Sequence, residues 1–453
     1  MKIWADQALT SQGWALHVLV TVGADGRIKS VQPDAEKSDA HVVGILLPAP
    51  ANAHSHAFQR AMAGLTEARG PDPRDSFWTW RKLMFRFLDR LTPDHVEAIA
   101  AYVQMEMLEA GYAANVEFHY LHHQPDGSPY ANIAEMSDRI IAAAATTGIG
   151  LTLLPVHYQF GGLDRRPLGA GQIRFGNDPD RFARLFECAA AALKHLPSDC
   201  HMGVAPHSLR AVAPDTLAQT AGLTDGPVHM HLAEQQAEVD EVLAVLGKRP
   251  AEWVIENMAP DARCTFIHCT QMLPHETEEL AHSGAVAGLC PITEASLGDG
   301  IFDATRWLGA GGAIALGSDS NIRITLSEEL RMLEYSQRLR DRARAVLATD
   351  QKSTGHRLFS AACQGGAQAA GRAAGELRPG VLADLMALDR SHTDLMNRQG
   401  DQILDSYIFA GDDQMVSDVW SAGRHLVRHG QHIHREAIAQ AYRAAMQALG
   451  KTL

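Results

Sequence analysis

The sequence predicts an α/β protein: a (β/α)₈ barrel of the TIM type carrying a small β-sandwich assembled from both chain ends. Three observations point there. Between residues 44 and 370, short runs rich in Val, Ile and Leu alternate with longer helical patterns, as expected of βα units around a parallel sheet. Eight such runs can be counted. The flanks change character to short alternating strands separated by turn signals. Finally, residue types that ligate metals or move protons recur where the apolar runs end, and a barrel of this kind places its active site at the C-terminal ends of its strands.

Taken in order, the segment 15–31, with its Ala24-Asp25-Gly26 turn, reads as flanking strands. The first barrel run is 43–54, entering Asn52-Ala53-His54-Ser55-His56. A helix is predicted from Thr92 as N-cap and Pro93 at the first helical position to Gly111 after the last turn. The remaining runs are 114–120, 150–157, 201–207, 227–232, 264–268, 285–289 and 313–317. Region 380–431, with the turn Ala422-Gly423-Arg424, returns to short strands, and a terminal helix follows. The expected division is 1–46 plus 376–434 as a composite β domain, 47–375 as the barrel, and 435–453 as a C-terminal helix. An open, doubly wound sheet is the competing architecture.

A chain of 453 residues holds up to three domains at about 150 each, but α/β barrels exceed 200 residues as one unit. With 46% hydrophobic and 21% charged residues and no low-complexity tract or internal repeat, this is an enzyme-sized globular composition. Met1-Lys2-Ile3-Trp4-Ala5-Asp6 lacks a basic segment leading into an apolar one, and no apolar run nears the ~18 residues that span a bilayer. A soluble, cytoplasmic protein is expected. The six cysteines form no CxxC pair and are expected to be reduced. The net charge of −13 argues against nucleic acid or an anionic membrane as partner, and an anionic substrate would need local arginines to overcome it.

The chemistry collects strand by strand. On an extended strand residues i and i+2 share a face, so His54 and His56 can point at one cation. Strand five ends in Val228-His229-Met230-His231-Leu232-Ala233-Glu234, strand six in Phe266-Ile267-His268-Cys269 and strand eight in Leu316-Gly317-Ser318-Asp319-Ser320. His54, His56, His231 and Asp319 make an N₃O set that suits one Zn²⁺ or Fe²⁺ and leaves a position for water, as catalytic sites do. Each has a bland alternative: a hydrogen-bonded histidine pair at a strand end for His54 and His56, a helix N-cap for Asp319. His229 reads as buried in the sheet.

This constellation resembles the amidohydrolase superfamily, with its first-strand HxH, fifth- and sixth-strand His and eighth-strand Asp on a metal-bearing barrel. The likeness spans nearly the whole chain, including Gly375-Glu376-Leu377-Arg378-Pro379-Gly380 as the return into the β domain. Strand four ends in Ala205-Pro206-His207-Ser208, without a lysine to bridge two metals, and Glu234 follows His231 by three residues as in the deaminating branch. The resemblance therefore implies one metal and an amidine substrate. In such a site the cation lowers the pKa of water towards ~7. Asp319 and His268 would orient that water, and Glu234 would pass its proton to the leaving nitrogen, which departs as ammonia. Without that role Glu234 is an acid near a helix N-terminus.

Residues outside this shell choose the substrate. Gln59, Arg81, Tyr120, His207 and Arg210 bring cationic and hydrogen-bonding groups to the mouth, which suits an acyclic dicarboxylate because guanidinium grips carboxylate bidentately. Each alone has a surface or core reading. The strings His54–Gly64, Asp75-Ser76-Phe77-Trp78-Thr79-Trp80-Arg81, Glu117-Phe118-His119-Tyr120, His207-Ser208-Leu209-Arg210 and Thr293-Glu294-Ala295-Ser296-Leu297-Gly298-Asp299 are similar to those of the amidohydrolases that deiminate N-formimino-L-glutamate in histidine degradation. That likeness implies hydrolysis to N-formyl-L-glutamate and ammonia, with these five residues holding the glutamate portion. Two long excursions, 57–91 and 158–174, are predicted to cover the mouth and exclude water.

Two other readings stand beside this one. Deamination of a cyclic amidine, such as a purine, pterin or guanine-like ring, would leave Arg81 and Arg210 unpaired at a cost of several kcal/mol. A metal-binding but inactive scaffold would have no chemical use for Glu234 and His268. Zinc and iron fit the same ligands, and superfamily analogy and size lead us to expect a homodimer.

Overall fold

The computed structural model describes residues 1–37, 39–67 and 77–451, the side chains of 77–82 excepted. The chain opens with β1 (Lys2–Thr10), β2 (Gly13–Val22), β3 (Ile28–Gln32) and β4 (His41–Pro48). The barrel then winds through β5 (Ala51–Ser55), β6 (Ala114–His119), β7 (Gly150–His157) and the two short pieces β8 (His201–Met202) and β9 (Ala205–Pro206). It continues with β10 (Val228–Leu232), β11 (Cys264–His268), β12 (Val286–Leu289) and β13 (Ala313–Leu316). Last come β14 (Leu385–Leu388), β15 (Val416–Ser421), β16 (Arg424–Arg428) and β17 (Gln431–His432), followed by a helix at Arg435–Gly450.

All barrel neighbours pair in parallel, β5 to β8 and β9 in one sheet path and β10 to β13 in the other. Two further parallel bridges, Val204 with Val228 and Ser55 with Asp319, join the paths into a closed ring. The open doubly wound alternative is thereby excluded. Strands β6, β7, β10, β11 and β12 are buried at every residue, which explains why they read as unbroken apolar runs rather than as alternation. The predicted helix after strand one spans Pro93–Glu109, with Thr92 Oγ1 accepting the His95 N–H at 3.3 Å.

Two runs behave differently from expectation. The apolar stretch 43–54 belongs to two sheets: β4 lies in the terminal sheet and β5 in the barrel, parted at Pro48-Ala49-Pro50, where prolines lack the N–H a continuous ladder needs. Run 201–207 breaks because its backbone changes partner, Gly203 N–H donating to Leu153 O and Val204 N–H to Pro227 O. The terminal strands also begin before residue 15. Strand β1 lies between β2 and β4 and is buried on both faces over most of its length, so it lacks the alternation that marks an exposed strand.

The terminal strands form one eight-stranded sheet in the order β17-β16-β15-β14-β4-β1-β2-β3, with β1 and β4 parallel and the other pairs antiparallel. It has its own core, in which Ile3, Val18, Val20 and Leu385 meet Trp420. Among the described residues, all six cysteines are free, and no helix is long and apolar enough to cross a membrane.

A buried ionic knot fastens this sheet to the barrel. Arg372 donates bidentately to Asp384 at 2.9 and 3.0 Å and also reaches Asp199 Oδ2 at 3.2 Å. Arg424 grips the same Asp199 at 2.7 Å through both carboxylate oxygens. Burial alone would raise the Asp199 carboxyl, but the Arg424 and Arg372 guanidiniums outweigh it and hold it below the usual range. Because its folded pKa is depressed, this carboxylate's contribution is complete above its unfolded value near ~3.9 and is lost as pH falls below that. Chemical unfolding measured across pH should therefore show Asp199→Asn with a shallower acid limb than the parent chain. Arg372→Met, which strands the buried Asp384 carboxylate while Asp199 keeps Arg424, should cost roughly 3–5 kcal/mol at neutral pH.

Candidate metal centre and amidine-binding cavity

The side chains singled out in the sequence leave the barrel where its strands end, and the backbone is bent to aim them. His268, Cys269 and Asp319 have φ of 71°, 54° and 45°, and Ala233, one residue before Glu234, has 50°. Left-handed conformations at residues other than glycine cost of order 1–3 kcal/mol each and persist only where the surroundings enforce them. Gly317 is required here. A Cβ on it would lie 2.7 Å from His54 Cβ and 2.8 Å from the His54 backbone N and O.

His54, His56 and His231 converge through their Nε2 atoms. His54 Nε2 lies 3.1 Å from His56 Nε2 and 3.2 Å from His231 Nε2. Asp319 Oδ1 completes the cluster at 3.5 Å from His54 and 3.3 Å from His56. The Nδ1–H of His56 is committed to Phe118 O at 2.9 Å and that of His231 to His207 O at 3.2 Å, so their Nε2 atoms carry lone pairs. Burial pushes His54 down to about 3 and also lowers His56 and His231, leaving all three neutral at physiological pH. Burial would raise Asp319, but hydrogen bonding from His54 and the charge of His268 hold it well below the carboxylate range. Converging lone pairs beside a buried carboxylate repel unless a cation lies among them, and three neutral imidazoles with a carboxylate beside them are donors that a divalent metal takes.

Beside this cluster, His268 Nε2 stands 3.7 Å from Asp319 Oδ2 and 3.9 Å from Glu234 Oε1. Burial lowers His268, but Glu234, Glu294 and Asp319 around it prevail and raise it well above its ordinary value. Burial raises Glu234. The pair is thus poised to hold and pass a proton. Glu294, in the helix Pro291–Leu297, accepts the His268 Nδ1–H at 3.2 Å and the Cys290 N–H at 2.8 Å, so it fixes the ring that faces Glu234. It lay within a string already noted, but a single sequence carries no sign that this acid reaches back across to strand six.

A cavity opens onto these groups. His56, His231, Glu234, His268 and Asp319 line it together with Gln59, Tyr120, His207 and Arg210. Gln59 Nε2 donates to Tyr120 Oη at 2.6 Å, while its Oε1 is buried without a partner. Arg210 is likewise buried at Nε with no acceptor. Met84 from the first excursion, and Tyr158 and Phe175 at the edges of the second, also line the cavity. Arg81 lies on the helix Phe77–Leu88, but its side chain is outside the described residues, as are residues 68–76 of the first excursion. His229 points away from the site, its Nε2–H donating to Ala369 O at 2.8 Å.

A further shell keeps the HxH in place. Glu117 Oε1 accepts the Ala57 N–H at 2.7 Å, and burial pushes its carboxyl up to about 7. Asn52, Ser318, Asn321 and Ser55 form a buried chain of side-chain hydrogen bonds of 2.6–3.2 Å between the first and eighth strands.

Comparison with known proteins matches the geometry. Residues 45–426 fit the amidohydrolase family, and residues 1–40 fit the N-terminal domain of formimidoylglutamate deiminase HutF. Formimidoylglutamate deiminase of Pseudomonas aeruginosa is 48% identical over 455 residues, covering 100% of this chain and 99% of that protein. The 8-oxoguanine deaminase of the same species is 28% identical over 387 residues, 80% of this chain and 79% of the relative. The crystal structure of an amidohydrolase from Brucella melitensis superposes with a TM-score of 0.94 at 46% identity over 99% of both chains. An adenosine deaminase from Xanthomonas campestris shares the fold, with a TM-score of 0.82 at 21% identity over 99% of this chain and 98% of the other. Full-length likeness and a barrel mouth carrying the HxH, both further histidines and the aspartate agree: the chain belongs to the amidohydrolase family and, within it, to the formimidoylglutamate deiminases.

Proposed function

We infer that this chain hydrolyses N-formimino-L-glutamate to N-formyl-L-glutamate and ammonia, a step of histidine degradation. The observation that carries the reading is the pairing, in one cavity, of a proton-handling Glu234–His268 couple with an arginine, Arg210, whose buried Nε has no acceptor. A substrate carboxylate satisfies that guanidinium, and an amidine carbon beside Glu234 satisfies the chemistry.

Our assignment of roles is as follows. His54, His56, His231 and Asp319 would hold one divalent metal, Zn²⁺ first and Fe²⁺ second, since both take imidazole and carboxylate donors. When bound, that ion supplies the Lewis acidity that makes water acidic near neutral pH. Asp319 and His268 orient the water towards the formimino carbon. Glu234 takes a proton at Oε1 as the new C–O bond forms and passes it to the formimino nitrogen; the hydroxyl proton left on the tetrahedral adduct follows the same route as the C–N bond breaks, so that ammonia departs and the formyl C=O remains. His268 donates from Nε2 to the oxygen that gains charge, and Glu294 holds it in place. Gln59 Oε1 accepts an N–H of the substrate, while Arg210, Tyr120, His207 and Arg81 receive the glutamate carboxylates.

The division into a composite β domain (1–46 with 376–434), a barrel (47–375) and a terminal helix (435–453) belongs to the same proposal, supported by the separate core of the terminal sheet. So do the covering role of the two excursions, supported by Met84, Tyr158 and Phe175 at the cavity wall, a cytoplasmic location, supported by the metabolic role of the relative, and a homodimer, supported by superfamily analogy.

Ammonia release from N-formimino-L-glutamate by metal-analysed protein tests the assignment. Turnover should track one metal per chain, vanish on chelation and return on adding Zn²⁺. Glu234→Ala should lose mainly kcat, by about 10²–10⁴-fold. Arg210→Ala should lose mainly kcat/KM, by about 2–5 kcal/mol. Full metal occupancy without release would redirect the assignment to a cyclic amidine. Glu294→Gln acts through His268 and should lower kcat roughly 10–100-fold while leaving KM and metal content near the parent values; loss of metal or of fold instead would show Glu294 to be merely structural.

A further inference from the structure

Far from the barrel mouth, the terminal sheet gathers a second set of borderline donors. His41, the first residue of β4, and His425, on β16, both place Nε2 on the same oxygen of Asp418, at 3.0 and 2.8 Å. The three ligand atoms lie within 4.8 Å of one another. The two rings stand 4.8 Å apart at 69°, and His425 is stacked on Trp420 with centroids 4.4 Å apart and planes 20° from parallel. Trp420 is buried and provides a dry wall beneath the imidazoles.

We propose that His41, Asp418 and His425 form a second metal site, for a divalent transition-metal ion of the zinc or cobalt type, which staples the N-terminal strands to the C-terminal ones.

The chemistry follows from the donors. Two imidazoles can share one carboxylate oxygen only by presenting an N–H each, and a single cation replaces both protons while keeping all three donors. Two nitrogens and a carboxylate oxygen suit Zn²⁺ or Co²⁺ rather than Ca²⁺ or Mg²⁺, which take oxygen. Access comes from one side. The His41 side chain is 41% exposed, against 10% for Asp418, so an ion can enter past His41 and keep water in its remaining position. The charge of the chain favours a cation. Arg428 is the cross-strand partner of Asp418 but forms no ion pair with it, so the charged neighbours of the carboxylate are the two imidazoles, with Ser417 as a further hydrogen-bond partner. Each donor also already has an anchor: Asp418 sits in β15 between β14 and β16, and His425 is held by its stack on Trp420.

The site differs from the catalytic one in what it should do. It touches neither the cavity nor any group that holds it, so occupancy should alter stability rather than turnover. A ligand that binds only the folded state raises the midpoint of unfolding as its concentration rises.

The test uses the holoenzyme with its catalytic site already filled, titrated with Co²⁺ and Zn²⁺ by calorimetry, and with Cu²⁺ while following tryptophan fluorescence. A second equivalent should bind, with Cu²⁺ quenching a component that Trp420→Phe removes. His41→Ala, at an exposed position, should weaken that equivalent by more than about tenfold, the scale on which even outer-shell partners act. His41→Ala/His425→Gln should abolish it together with the Zn²⁺-dependent rise in unfolding temperature, leaving turnover unchanged. Saturation at the catalytic equivalent alone, or a second equivalent that survives in the double variant, overturns the proposal.

Discussion

The first and last strands of the barrel join, and its chemistry assembles, at one backbone bridge. Asp319 donates its N–H to His54 O at 2.9 Å and accepts the His56 N–H on its own carbonyl at 3.0 Å, so the first and eighth strands are sewn together by the residues that would hold the metal. The contact is close enough that residue 317 must be glycine, and it is reinforced on both sides by Asn52, Ser318, Asn321 and Ser55. Ring closure and ligand geometry are therefore one constraint. A chain that fails to bring strand eight onto strand one has neither a sealed core nor a cluster of imidazoles.

What that closure costs locally is visible in the left-handed φ angles at Ala233, His268, Cys269 and Asp319, each at or just beyond the end of a buried strand. Strain of this kind survives because fully buried strands on either side allow no relaxation. The return is electrostatic. With burial removing water, neutral imidazoles, a low-pKa Asp319 and a proton shared around Glu234 and His268 act on one another without solvent screening. The same desolvation bears on Arg210, whose buried Nε has no acceptor although Glu238 and Glu234 lie near enough to raise its pKa. On a chain of net charge −13, an anion would need such a local inversion of field.

The terminal sheet serves as a foundation. Arg372 and Arg424 tie Asp199 and Asp384 together just before β8 and β14 begin, at the end of the barrel away from the mouth. Buried ion networks of this type add less to net stability than to uniqueness of docking, since any displacement leaves a charge without its partner.

Strand-level organisation and most of the site were legible in the residues, because burial on both faces imposes continuous apolar runs and because metal and proton chemistry restrict which side chains can stand at strand ends. His54, His56, His231, Glu234, His268 and Asp319 could be named from spacing and resemblance, and the structure brings them into one cluster. Other features had no local signature. The division of 43–54 between two sheets depends on which neighbour each half meets, and β1 hides in the centre of a sheet where no alternation survives. Glu294 and Glu117 act across 26 and 60 residues of sequence, on His268 and on the backbone after His56. The sequence by itself determined the elements and the reactive side chains, since these follow from periodicity and donor chemistry within a few residues. Only the tertiary structure decided which strands seal the ring, which carboxylates orient the histidines and which arginine faces the cavity unpaired, because those depend on distances between segments that local physics leaves free.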